Sequence, residues 1–167
     1  MRRALPLVAC LLIASSCSDH GLLFSQDRRI EIVAPKQNAK VSMPLTVRWS
    51  LDEDVAIGRD IASFAVLFDV DPPPPLKTLA HLARGDLDCE RTPGCPDAEY
   101  FATRGVYTTT DTEFRIDDLL PIAGVDIDEG ERDVHDVTIV VLGPDGRRLN
   151  EAFWSRTFEI EHPELDR

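Results

Sequence analysis

"VHDVTIVVLGPDGRRLNEAFWSRTFEI" (residues 134–160) decides the fold. Its first nine residues alternate with a period of two and then become apolar throughout, as a strand buried in the middle of a sheet does. "GPDG" follows, with Pro, Asp and Gly in turn order, so the chain is expected to reverse and return as a hairpin. The returning strand, "FWSRTFEI" (residues 153–160), places Trp154, Phe158 and Ile160 on one face.

Working outward, the same period recurs. "RIEIV" (29–33) sets Ile30 and Ile32 together. "LTVRWS" (45–50) separates Leu45, Val47 and Trp49 from Thr46, Arg48 and Ser50. "SFAVLFDV" (63–70) aligns Phe64, Val66, Phe68 and Val70, and "TEFRI" (112–116) is a further short alternation. Short strands divided by turn clusters predict an all-β chain folded as a β-sandwich of about seven strands. Trp49 and Trp154 lie on apolar faces and are expected in its core.

The middle of the chain interrupts this pattern. "DPPPP" (71–75) lacks backbone donors and predicts a stiff loop leaving a strand, in preference to a docking motif. "LKTLAHLAR" (76–84) has Leu76, Leu79, Ala80 and Ala83 at helical spacing, which predicts one or two helical turns covering the sandwich or one of its edges. In "CERTPGCPD" (89–97), Pro93-Gly94 favours a type II turn that brings Cys89 back to Cys95. A disulfide there should contribute about 2 kcal/mol by the chain-entropy argument. A zinc site would need closer cysteine spacing and two further ligands, with only His81 nearby. The expected insertion is therefore a short helix and a disulfide-closed loop, and such stiff loops are common contact surfaces. Tyr100, Phe101 and Tyr107 flank this one and are the candidate contact residues.

"IEIVAPKQNAKVSMPLTVRW" (30–49) resembles the opening of bacterial immunoglobulin-like surface domains, with a strand, a Pro-containing turn and a Trp-bearing second strand. "FRIDDLLP" (114–121) followed by "HDVTIVVL" is similar to the fifth-to-sixth strand passage of fibronectin type III domains. The sequence departs from that pattern at His135, where a corner tyrosine would stand, and at residues 122–133, which look like an inserted acidic loop. The resemblance implies adhesion, scaffolding or spacing, and seldom catalysis.

The amino-terminal residues read as an address. Arg2 and Arg3 precede an uncharged, mostly apolar run over 4–14, too short to cross a bilayer, which takes about 20 apolar residues. Small residues lead into Cys17, and "IASSC" (13–17) resembles a bacterial lipobox. That likeness implies cleavage after Ser16 and a lipid on Cys17. Cysteine arithmetic agrees: of the four cysteines, Cys17, Cys89 and Cys95 survive cleavage, and an exported chain should not keep an odd thiol. The expected organisation is a signal peptide over 1–16, the lipidated Cys17 with a short tether to 29, a sandwich over 30–161 and a tail over 162–167. The tether reaches roughly 40 Å at most. Ser18 lacks the aspartate that retains some lipoproteins at the inner membrane, so the outer membrane or cell surface is the expected site. Soluble secretion is the alternative.

The chain carries a formal charge of −12, and losing residues 1–16 removes two arginines and no acid, taking it to −14. Nucleic-acid binders present basic patches, so nucleic acid is not an expected partner. The expected partners are a membrane, through the lipid, and an envelope protein or glycan. Asp126 and Asp128, and separately Asp86 and Asp88 with Asp97, are weak Ca²⁺ candidates. An EF-hand counted from Asp126 would need Gly and Glu where Glu131 and Val137 stand. The sequence has no nucleophile elbow, HExxH or P-loop, and its histidines, His20, His81, His135 and His162, are scattered. No cofactor and no enzymatic activity are expected. The functional reading is a non-enzymatic interaction or structural module of the cell envelope. A Ca²⁺- or glycan-binding surface module is the first alternative, and a hydrolase with a site assembled in space the second.

Overall fold

The computed structural model describes residues 29–53, 55–119, 132–149 and 153–161. Among these residues, eight strands form two sheets. They are β1 (Ile30–Ala34), β2 (Ala39–Val41), β3 (Leu45–Leu51), β4 (Ser63–Phe68), β5 (Val106–Thr109), β6 (Glu113–Ile116), β7 (Asp133–Leu142) and β8 (Trp154–Ile160). One sheet runs β1-β3-β6 and the other β2-β8-β7-β4-β5. All pairings are antiparallel except β2 with β8. The first edge is thus shared: β1 borders the small sheet, and after a turn at residues 35–38 the chain joins the large sheet as β2. Asn38 closes that turn at φ +57°, a conformation asparagine tolerates, and its N–H donates to the Thr157 carbonyl at 2.7 Å.

The alternation read from the sequence fills the space between the sheets. Ile30 and Ile32, Leu45, Val47 and Trp49, and Ile116 face Phe64, Val66 and Phe68, Val137, Ile139 and Val141, and Phe158 and Ile160. Trp49 packs edge-on against Phe64 with ring centroids 5.2 Å apart. Trp154 is partly buried against the same core. At about 1.5–3 kcal/mol for each fully buried large apolar side chain, this layer is the main source of stability.

The larger sheet has a second apolar side. Ala65 and Leu67 on β4 and Val140 and Leu142 on β7 point away from the core, and Leu79, Leu82, Val70 and Phe101 cover them. The cover comes from the excursion between β4 and β5. It holds a 3-10 helix (Leu79–Ala83) and two one-turn helices, α1 (Leu87–Arg91) and α2 (Ala98–Ala102). This explains the unbroken apolar runs in β4 and β7, which are central strands buried on both faces.

Three expectations change in detail. The described residues hold eight strands, β2 being too short to read as an alternation and β5 offering too little contrast between its faces. Val70 leaves the face of Phe64, Val66 and Phe68, because β4 ends at Phe68 and Asp69 adopts φ +55°, which turns Val70 into the second cluster. The expected loop around the cysteines is mostly helical. The "GPDG" turn behaves as read: β7 and β8 pair as neighbours, with Ile139 opposite Trp154, and Gly146 N–H donates to Gly143 O. Among the described residues, no helix is long and apolar enough to cross a membrane. Cys17, Asp126 and Asp128 lie outside the described residues.

Candidate functional site

The excursion is tied down at its proline end by the turn after β7. Pro73 is buried, and its carbonyl accepts from Arg148 Nη1 at 2.6 Å. Arg148 N–H donates to Lys77 O and Leu76 N–H to Arg148 O, while Arg147 Nη1 donates to Leu76 O at 3.2 Å. With its backbone so committed, the proline run is a brace. Lys77 N–H donates to Pro74 O, which makes residues 74–77 a tight turn with Pro75 second and Leu76 third. Leu76 stands at φ +64° and is 63% exposed. Turns of this type favour glycine at that position.

The cysteine end is a capped helical knot. Cys89 and Cys95 lie at disulfide distance with Cα atoms 5.2 Å apart, joined across a turn in which Gly94 takes φ +88° and Cys95 N–H donates to Thr92 O. Asp86 caps α1, its Oδ1 accepting from the N–H groups of Asp88 and Cys89. Its Oδ2 accepts from the Tyr100 hydroxyl at 2.9 Å and from Arg104 at 2.8 Å. The Cys89 amide first, then the Tyr100 hydroxyl, hold the Asp86 carboxyl below the usual carboxylate range. Asp97 caps α2 through Tyr100 N–H.

These bonds revise the Ca²⁺ candidates Asp86 and Asp88. Both oxygens of Asp86 are already occupied by donors, and Asp88 sits in the first turn of α1, contributing its amide to that cap. Among the described residues, no group of three or more His, Cys, Asp or Glu side chains is set to hold a metal ion.

The three candidate contact aromatics do not gather into one surface. Tyr100 lies under the Arg104 guanidinium, 3.7 Å from ring centroid to Cζ, and burial followed by its bond to Asp86 pushes its pKa up. Phe101 turns inward to the second apolar cluster. Tyr107 closes the gap between the sheets against Phe114, with centroids 4.9 Å apart, and burial raises its pKa. Its hydroxyl donates to Ala102 O.

A site that the sequence did not suggest lies where the cover ends. Asp69, Val70, Asp71, Asp136, Thr138, Phe153 and Ser155 line an open crevice of about 290 Å³ on the outer face of the large sheet. Asp69 extends the β4–β7 ladder by one step: its N–H donates to Asp136 O, and its Oδ1 accepts from Asp136 N–H at 2.7 Å. Behind it lies His135, buried and stacked on Phe158. Its Nδ1 is 2.6 Å from Asp69 Oδ2 and its Nε2 is 2.7 Å from Asp133 Oδ1. Burial alone would lower the imidazole pKa, but the bonds to and charges of Asp69 and Asp133 outweigh it and raise it above the ordinary 6.5. With a carboxylate at each ring nitrogen, His135 has no nitrogen left to activate a nucleophile, as a hydrolytic triad requires.

The chain matches no family model, no curated protein and no solved structure.

Proposed function

We propose that this chain is a lipid-anchored interaction module of the bacterial cell envelope, non-enzymatic, with an immunoglobulin-like sandwich held close to the membrane through Cys17. The strand order supports the sandwich subfamily, since a first strand split between two sheets suits an immunoglobulin-like arrangement. The exported setting follows from the amino-terminal pattern and suits the Cys89–Cys95 bridge.

The observation that carries an interaction role is Leu76. A leucine at positive φ costs about 1–2 kcal/mol in backbone strain, and at 63% exposure it recovers little by burial. Arg147 and Arg148 nevertheless hold it in place. A strained, braced and exposed apolar side chain is better explained by a contact than by folding. The same arginine, Arg148, reaches Phe153 at the rim of the crevice, with Cζ 5.2 Å from the ring centroid. The partner class that suits this face is an envelope protein offering an apolar pocket beside basic side chains, since the crevice wall carries Asp69, Asp71 and Asp136.

A photo-crosslinking residue at position 76, in bacterial cells making the full chain, tests the contact. A discrete adduct at 76, and none at the exposed Arg48 position on the other sheet, supports the reading; equal labelling at both removes it. Palmitate labelling tests the anchor separately: Cys17→Ser should abolish the label, and unchanged labelling would overturn lipidation at that residue.

A further inference from the structure

A carboxylate only accepts hydrogen bonds, and a neutral imidazole has one N–H to donate. His135 has a carboxylate oxygen within 2.7 Å of each ring nitrogen, Asp69 on one side and Asp133 on the other. Both contacts are hydrogen bonds only when both nitrogens carry protons. We propose that Asp69, His135 and Asp133 form a proton-operated latch: as an imidazolium, His135 ties the end of β4 to the start of β7, and loss of one proton to solvent releases the Asp69 turn that walls the crevice.

The surroundings make the release directional. Whichever nitrogen yields its proton, a ring lone pair then faces a carboxylate oxygen at hydrogen-bond distance, and that contact changes from attractive to repulsive. The charge balance shifts as well. Asp69 comes from the end of β4, Asp133 and Asp136 from β7, and Asp136 is bonded both to the Asp69 main chain and to the Thr157 hydroxyl. From β8 the group against the ring is Phe158, which carries no charge. Of the charges on that strand, Arg156 is two residues before Phe158 on the same face, with its guanidinium over the Trp154 ring, and Glu159 is engaged by Lys40 and Arg132. Deprotonation therefore removes the positive charge that lies between Asp69 and Asp133. The segment released is the sharp turn that ends β4, where Asp69 stands at φ +55°.

The sign of the pH dependence follows. The folded-state pKa lies above the unfolded value of 6.5, so the latch contributes in full below pH 6.5 and is lost as pH rises through the higher folded value. The expected loss is seen first locally, at the β4–β7 end, before the sandwich unfolds.

Two measurements on the full chain in detergent micelles test this. Nitrogen NMR should find both His135 ring nitrogens protonated at pH 6, with a titration midpoint above 6.5. Between pH 6 and 9, amide exchange at Asp69 and Asp136 should accelerate beyond base catalysis, measured against the Val140 amide, and Tm should fall by a few degrees. His135→Gln should abolish the pH-dependent part. Asp133→Asn, which keeps the imidazole should the first variant not fold, should lower the His135 midpoint and shrink the fall in Tm. His81→Gln should leave both unchanged. A His135 titration midpoint at or below 6.5, or an undiminished fall in Tm in Asp133→Asn, overturns the latch.

Discussion

Strand β7 has two halves made on different principles. From Val137 to Leu142 it is buried on both faces, by the inter-sheet core on one and by the helical cover on the other. From Asp133 to Asp136 the same strand is held by charged hydrogen bonds around His135. Apolar burial does not depend on proton concentration, whereas the clamp depends on a single proton. The contrast teaches where this sandwich is firm under all conditions and where its shape answers to its surroundings.

The largest way to break the comparison is through the firm half. Phe64 lies opposite Val141 and edge-on to Trp49, fully buried. Phe64→Ala should cost about 3–5 kcal/mol by truncation and cavity formation. Chemical denaturation at pH 6 and pH 9 should give the same cost. A cost that changes with pH would mean the halves are coupled and the division drawn here is wrong.

Gly105 should come next. Its φ is +71°, and an added Cβ would sit 2.8 Å from the Phe68 carbonyl oxygen. Gly105→Ala should cost about 2–4 kcal/mol, from left-handed strain together with the clash. Because Phe68 N–H donates to Gly105 O and Asp69 follows directly, the damage should spread to the clamp. Amide exchange that rises at Asp69 as well as at Phe68 would sharpen the comparison; a change confined to β5 would show that the covering segment and the clamp are independent.

The disulfide should matter less and more locally. Replacing Cys89 and Cys95 by alanine should cost about 2 kcal/mol. Exchange should rise in α1 and α2, with the amides of β7 unaffected, since Phe101 and Leu79 hold the cover to the sheet by apolar contact. Equal loosening of β7 would show that the cover depends on the bridge.

What the sequence made legible follows the same division. Every strand of at least four residues was readable except β5, because Leu45, Val47 and Trp49 announce one buried face by period, and the apolar runs of β4 and β7 mark strands buried on both faces. β5, "VYTT", offers little contrast between its faces. β2 has three residues, and its place is set by its partner β8, which local sequence cannot convey. The aspartates around the cysteines were readable as acids but ambiguous in role: Asp86 and Asp97 were candidate oxygen ligands, and both are helix caps, a signal that Asp before a short helical run does carry. The clamp was out of reach. His135 and Asp69 are 66 residues apart, and only the strand order brings them together.

The smallest predicted effect is at Leu76. Glycine there would relieve about 1–2 kcal/mol of backbone strain, while the unfolded chain would gain nearly as much freedom, worth about 0.4–1 kcal/mol. With a side chain already 63% exposed, little burial is at stake. Leu76→Gly should therefore change stability by less than about 1 kcal/mol, in the stabilising direction, and leave the bonds from Arg147 and Arg148 intact. Denaturant midpoints of the two chains would show it. A small gain in stability would separate this position from both halves of β7, because it would mark a leucine kept at a cost that folding does not require. A loss of 2 kcal/mol or more would instead make Leu76 part of the fold, and the contact proposed for it would lose its physical basis.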